Sequence, residues 1–402
     1  MVRKIVLTIF FIAAQLAVIF LCRAHMLASS NPAASLRYVP NYSPALMQLN
    51  AQLSEESQRL KNHGEIKSNA LAAIGRAPLD HKAFYYLGLS DFWSTNEWSE
   101  RDIMEQAKRL RPRHQGIVQT LLRMDLTSVD MVSGSKNIDL LLRIDTANET
   151  IYFDLLLAFM KDPQGFENVA GYLKDGVPWG QDFILHSLAA AQTEDVLKLG
   201  PVVRQRLSVD AASDDSLLLE SRYLRTLTRL GFLEQAYAFW QESEGRDASP
   251  YPGLHDPLFS GTRAAEPFNW SQRKSKYSIV ELSPYDGLYV SYNGGTSRKI
   301  LYQIIPVQTG VDLTLSAEGR WDYTQRTGIF EWRAICTATG NVLASLPLDN
   351  AAKRARSMSV DIAMDPDMDC GFIDLQLWAV PGPDMTRISA AMKSADLSKK
   401  AL

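Results

Sequence analysis

Apolar positions change their spacing twice along this chain, and the changes divide it. From residue 5 to residue 21 (IVLTIFFIAAQLAVIFL) they are nearly continuous, interrupted only by Thr8 and Gln15. A span needs about 17–25 such residues, and only a helix pairs all of its own backbone groups in hydrocarbon, so the run predicts a transmembrane anchor over residues 1–27. Arg3 and Lys4 ahead of it predict a cytoplasmic N-terminus with the bulk of the chain across the bilayer. A cleaved signal peptide is the rival reading. Against it stand the length of the run and Arg23, His25 and Met26, which occupy the place of a small-x-small cleavage site. Cys22 leaves a lipoprotein signal as a third reading, but Ile19, Phe20 and Leu21 before it are too bulky for that.

Residues 28–44 are small and turn-rich, with Pro32, Pro40 and Pro44, and predict a linker that does not sustain a helix. Apolar residues then return at the helical period. Leu46, Leu49, Leu53 and Leu60 mark one face, and helical stretches follow over 69–74, 81–92, 98–110, 115–126, 148–160, 165–173, 179–191 and 219–244. The stretch 245–270, rich in Pro and Gly, ends this helical domain of residues 45–244. Beyond it the period drops to two. Strands are predicted over 277–282, 287–293, 299–307, 311–317, 329–337, 342–346, 357–363 and 371–380, which suits a β-sandwich domain over 271–385 followed by a C-terminal tail, 386–402. The fold class is therefore multidomain, α then β.

A chain of 402 residues with 46% hydrophobic and 22% charged residues has room for two or three domains and gives no sign of extended disorder. The net charge of −3 supplies no cationic field for a nucleic-acid partner. No nucleophile elbow, phosphate loop or dinucleotide fingerprint is present, so no catalytic residue is assigned. Acid pairs such as Asp214–Asp215 are common in any chain of this size, which leaves a glycan-active enzyme as a second alternative.

The six histidines are scattered, with no pair at helical ligand spacing. Asp365, Asp367 and Asp369 alternate as D-x-D-x-D and offer the hard oxygens that calcium takes. Cys370 and Gln376 stand where a calcium loop needs Gly and Glu, and a plain turn is the competing account. No other cofactor is implied. Cys336 and Cys370 fall in one domain on the far side of the membrane, and a disulfide between them would contribute about 3–4 kcal/mol. Two separately buried thiols are the alternative. Arg109, Arg111, Arg113 and His114 cluster at a helix end, where cations complement the dipole.

Phe84, Leu87, Gly88 and Phe92, followed by Ala107 and Pro112, resemble a degenerate tetratricopeptide repeat; Leu227, Gly231, Ala236 and Trp240 repeat part of the pattern. The resemblance implies an α-solenoid that docks protein partners, with Gly88 and Ala107 allowing close helix approach and Pro112 ending the unit; another all-α arrangement is the alternative.

Pro267-Phe268-Asn269-Trp270, the stretch 303–316, the stretch 332–336, and Cys370 followed by Asp374-Leu375-Gln376-Leu377 resemble jelly-roll sandwiches of the carbohydrate-binding-module type. The family's Gly-then-aromatic turn stands here only as Gly310-Val311-Asp312. Helical-plus-sandwich anchored proteins of this kind accompany bacterial exopolysaccharide assembly and export. The resemblance thus implies a non-catalytic, periplasmic accessory protein on the bacterial inner membrane, with envelope protein partners and polysaccharide as ligand. A purely structural protein–protein scaffold is the first alternative. The glycan platforms expected are Trp321 and Tyr323, in a hydrophilic stretch, and Trp270; Trp332 is expected in the core.

Overall fold

The computed structural model describes residues 2–54, 59–95, 101–190, 195–209, 213–243, 253–322, 328–348, 356–382 and 387–400. Side chains are described from residue 13 onward, except those of 59–60, 91–95, 195, 209 and 321–322. The chain divides into two compact units, Met1–Trp179 and Gly180–Leu402.

Amphipathic sequences with small residues at their crossings make the first unit entirely helical. Its helices are α1 (Val2–Ala28), α2 (Pro32–Tyr38), α3 (Ser43–Leu53), α4 (Arg59–Arg76), α5 (His81–Thr95), α6 (Arg101–Leu110), α7 (Gln115–Ser128), α8 (Met131–Ile144), α9 (Glu149–Phe159) and α10 (Pro163–Lys174). At the α5–α6 crossing, a Cβ on Gly88 would lie 3.1 Å from the Met104 Cε, so the glycine sets the approach. Met104 and Ala107 are fully buried there, with Phe84 packed against them.

The anchor expected over residues 5–21 is overturned: among the described residues no helix is long and apolar enough to cross a membrane. The end of α1 is built into the unit. Ala24 and Ala28 are buried, and the Ser35 hydroxyl donates to the Ala24 carbonyl at 2.7 Å. The Arg23 guanidinium lies 5.3 Å from the centre of the Tyr38 ring, and His25 Nδ1 is 2.9 Å from the Tyr42 hydroxyl. The single-pass topology, the inner-membrane address with its periplasmic body, and the membrane-anchored exopolysaccharide role are withdrawn with the anchor. What stands is an all-helical part followed by a two-sheet antiparallel domain.

The expectation that residues 28–44 hold no helix is corrected as well. Pro32 occupies the first turn of α2, where its missing N–H is not needed, and the Asn31 side chain caps the helix by accepting from the Ala34 N–H at 3.0 Å.

The second unit opens with α11 (Gly180–Ala190), α12 (Asp195–Lys198), α13 (Gly200–Val209), α14 (Asp214–Arg229) and α15 (Leu233–Ser243). Gly231, at φ +88°, makes the turn between the last two. The strands are β1 (Ser271–Gln272), β2 (Ser278–Ser283), β3 (Gly287–Tyr292), β4 (Arg298–Pro306), β5 (Leu313–Asp322), β6 (Ile329–Cys336), β7 (Val342–Leu348), β8 (Arg356–Ile362), β9 (Phe372–Val380) and β10 (Ile388–Lys399). They form two five-stranded sheets, β1-β4-β9-β6-β7 and β2-β3-β10-β5-β8, antiparallel throughout.

Alternation turns Leu301, Ile305, Phe330, Trp332, Leu375 and Leu377 of the first sheet inward. They meet Leu288, Val290, Leu315, Ala317, Ala390 and Met392 of the second in one core. Cys336 and Cys370 are joined as a disulfide with a Cα–Cα separation of 5.6 Å, tying the end of β6 to the chain just ahead of β9. Residues 388–399, expected as a tail, form β10, which lies between β3 and β5 at the centre of its sheet.

Candidate functional site

The outer face of the β1-β4-β9-β6-β7 sheet carries a row of long polar and aromatic side chains. Parity puts them there. Ile373, Leu375, Leu377 and Ala379 of β9 are fully buried, so Asp374, Gln376 and Trp378 stand on the opposite side. The register sets Lys299 of β4 and Glu331 of β6 on either side of Trp378, and Tyr302 and Arg333 on either side of Gln376. Ser345 of β7 lies beside Arg333.

These groups bond to one another along β9 and β6 and across to their neighbours. The Trp378 indole N–H donates to Gln376 Oε1 at 2.7 Å, and Gln376 Nε2 donates to Asp374 Oδ2 at 2.5 Å. Lys299 Nζ reaches the same oxygen at 3.3 Å, with its ammonium 4.3 Å from the centre of the Tyr302 ring. Arg333 makes a forked contact with Glu331 Oε2, at 2.8 Å from Nε and 2.6 Å from a terminal nitrogen. Its guanidinium lies 4.6 Å from the centre of the Trp378 ring. The Ser345 hydroxyl donates to the other Glu331 oxygen.

Lys299 and Asp374 are only 17% and 19% exposed, so the face is a shielded shelf rather than a fringe of free chains. Asp374 Oδ1 is buried with no hydrogen-bond partner among the described residues. Planar donors and acceptors immobilised in this way present hydrogen-bonding capacity at little ordering cost, and two aromatic rings lie among them.

The residues expected from the sequence are distributed differently. Trp270 lies in the core at 4% exposure, with ring centroids 5.1 Å from Phe259 and 5.7 Å from Trp332, and its indole N–H donates to the Asp256 carbonyl at 2.8 Å. The Trp321 side chain and all of Tyr323 lie outside the described residues. The backbone of Trp321 pairs with Ala390 near the end of β5. Of the repeat-packing residues, Leu87 and Ala236 are buried, Pro112 is exposed in the α6–α7 turn, and the Phe92 side chain lies outside the described residues.

Asp365 accepts from the Asp367 N–H at 2.9 Å in a turn, and among the described residues no three His, Cys, Asp or Glu side chains come together to hold a metal ion. Trp378, Tyr302 and Glu331 were not singled out from the sequence. The usable signal was parity: once Leu375 and Leu377 are assigned to the core, Trp378 follows Asp374 and Gln376 outward.

The first unit keeps its polar constellations inside. Asp145 accepts from the Tyr152 hydroxyl at 2.6 Å, from Gln115 Nε2 at 2.7 Å and from Asn148 Nδ2 at 2.9 Å. The hydrogen bonds from Tyr152 and then Asn148 hold its pKa below the usual carboxylate value. Asp125 pairs with Arg101 at 2.6 Å and accepts from Asn137 Nδ2 at 2.7 Å. Burial nevertheless pushes its pKa up. The His81 and His114 rings are 5.3 Å apart. Burial, then the neighbouring His114 and Arg111, lower the pKa of His81; burial, then Arg111 and Lys82, lower that of His114.

No family model matches the sequence, and no curated protein matches it. Among solved structures the chain is similar to a protein described as "CBM4 structure and function", at 14% identity and a TM-score of 0.27, over 37% of this chain and 99% of that one. A cyclase from Fischerella sp. TAU in complex with 4-(1H-indol-3-yl)butan-2-one is similar at 10% identity and a TM-score of 0.27, over 37% of this chain and 96% of that one. An arabinose-bound family 51 α-L-arabinofuranosidase is similar at 15% identity and a TM-score of 0.27, over 38% of this chain and 27% of that one. At these values the likenesses carry no argument about what this chain does.

Proposed function

We propose that the outer face of the β1-β4-β9-β6-β7 sheet binds carbohydrate, and that the chain is a non-catalytic glycan-contact protein whose helices serve as a scaffold for protein partners. One observation carries the reading. Trp378 and Tyr302 share a shelf with Asp374, Gln376, Glu331 and Arg333, linked by side-chain hydrogen bonds and cation–ring contacts. A pyranose offers a C–H face that packs on an aromatic ring and hydroxyls that both donate and accept. Fixed carboxylate, amide and guanidinium groups match those hydroxyls.

Trp321 and Tyr323 remain in the proposal as a second contact. The β5–β6 connection enters β6 at Ile329, opposite Val380, two residues beyond Trp378. An aromatic on that connection would extend the same end of the shelf.

The test is a glycan array probed with the full chain, followed by calorimetry on the bound glycans. Trp378→Ala should weaken binding by about 2 kcal/mol, ~30-fold, as expected for a central anchor. Tyr302→Ala should weaken it by about tenfold, and a Trp321→Ala/Tyr323→Ala pair by less. The glycan should be recovered intact; its cleavage would favour the enzyme alternative. The proposal fails if no glycan binds, or if binding is indifferent to both Trp378→Ala and Tyr302→Ala in proteins with native circular dichroism.

A further inference from the structure

α14 turns a second chemistry outward. Leu219, Tyr223, Leu224 and Leu227 bury one side of the helix almost completely, which fixes its rotation. Leu218, Arg222, Arg225 and Arg229 consequently form an exposed stripe at spacings of four, three and four residues, the spacing that keeps side chains on one helical face. Facing the stripe is α11, with Leu185, Leu188 and Ala189. Between the two helices runs a groove of about 450 Å³ lined by these residues and Thr226. The lining holds three arginines and no carboxylate. Arg225 pairs with Glu266, whereas Arg222 has no acidic partner among the described residues. The net charge of the chain is −3, so this row does not belong to a general cationic surface.

We propose that the groove docks an acidic amphipathic helix of a protein partner. Charge and shape point to the same occupant. Arg222 and Arg229 are seven residues apart, about 10 Å along the axis, with Arg225 between them. Carboxylates on one face of a docked helix recur at the same intervals. Leu185, Leu188 and Leu218 give the apolar edge of such a helix a floor, in the manner of helix-in-groove recognition. An anionic polysaccharide would satisfy the arginines and leave the leucines without a counterpart. The site is separate from the glycan shelf and does not depend on it.

The experiment is fluorescence anisotropy with the full chain at about 0.1 M salt, where surface charge still acts over ~10 Å. The probe is a labelled synthetic Leu/Glu amphipathic peptide, and the controls are a scramble of the same composition and a polyuronate oligosaccharide. The ordered peptide should bind at least about tenfold more tightly than either control. Arg222→Glu with Arg229→Glu should weaken it by about tenfold or more, and so should Leu218→Ser, whereas Arg222→Lys with Arg229→Lys should keep most of the affinity. All the substituted positions are exposed, and circular dichroism checks each fold. Trp378→Ala should leave peptide binding unchanged. The proposal is overturned if the wild-type chain ignores the ordered peptide, if the folded charge-reversed variant binds it equally well, or if scramble or polyuronate binds as tightly. The last result would assign the arginines to simple polyanions.

Discussion

Two polar networks of similar size serve opposite ends in this chain. Around Asp145 in the first unit, Tyr152, Gln115 and Asn148 converge on one carboxylate that is 7% exposed. Around Asp374 in the sandwich, Lys299, Gln376 and Trp378 are strung along a face that water reaches. A converging network inside a helical core satisfies every donor that burial would otherwise leave unpaired, so its worth is stability. A linear network on a sheet surface holds side chains in place without burying them fully, as the proposed glycan contact requires. On the outer face of the other sheet, Thr314 donates across strands to Asp361, which pairs with Lys400, and Arg387 donates to the Ser291 hydroxyl.

Four substitutions or titrations would break or sharpen this contrast. The largest effect is expected inside the sandwich, where Trp332→Ala should cost about 4 kcal/mol in denaturant unfolding through the cavity it leaves. Next comes Asp145→Ala, about 3 kcal/mol, because Tyr152, Gln115 and Asn148 lose a shared acceptor; if this variant melts like the wild type, the buried network is not structural. Trp378→Ala should change the unfolding free energy by no more than about 0.5 kcal/mol while abolishing most glycan affinity, and a large loss of stability would place the shelf in the structural class instead.

The smallest effect is a titration. His81 and His114 have folded pKa values below 6.5, so the unfolded chain binds protons first. Their contribution is complete above about pH 6.5 and is lost as pH falls through the lowered folded values. His81→Gln should flatten the slope of stability against pH in that window. The depressed pKa of Asp145 adds a contribution that is present above about pH 3.9 and disappears in stronger acid.

The division into helices and then strands could be read from period alone, because a core-facing stripe at 3.6 or at 2 leaves a mark that survives ordinary substitution. β10 left almost none. ISAAMKSADLSK has a single β-branched residue, and a bulge between Met392 and Ser394 shifts parity in mid-strand, so Ala390 and Met392 are buried before it and Ala395 and Leu397 after it. α8 is hidden by Gly134 together with Ser133, Ser135, Asn137 and Asp139, although Gly134 is needed where a Cβ would meet the Phe159 ring at 3.0 Å. The apolar opening of α1 suggested a bilayer because hydropathy does not see that the same helix ends in packing against Ser35, Tyr38 and Tyr42. At the candidate site, the hydrophilic stretch around Trp321 and Tyr323 points to exposure, and their side chains lie outside the described residues. Trp378 sits in one of the most apolar strands, and there only the register reveals which side it occupies.

The central place of β10 governs when the sandwich can form at all. During synthesis β3 and β5 emerge early, yet neither gains β10, the neighbour they share, until residue 399 clears the ribosome, close to a hundred residues after β3 itself. Until then each strand carries an unsatisfied ladder edge, and chains halted just short of Ile388 are left with the β2-β3 and β5-β8 pairs unjoined.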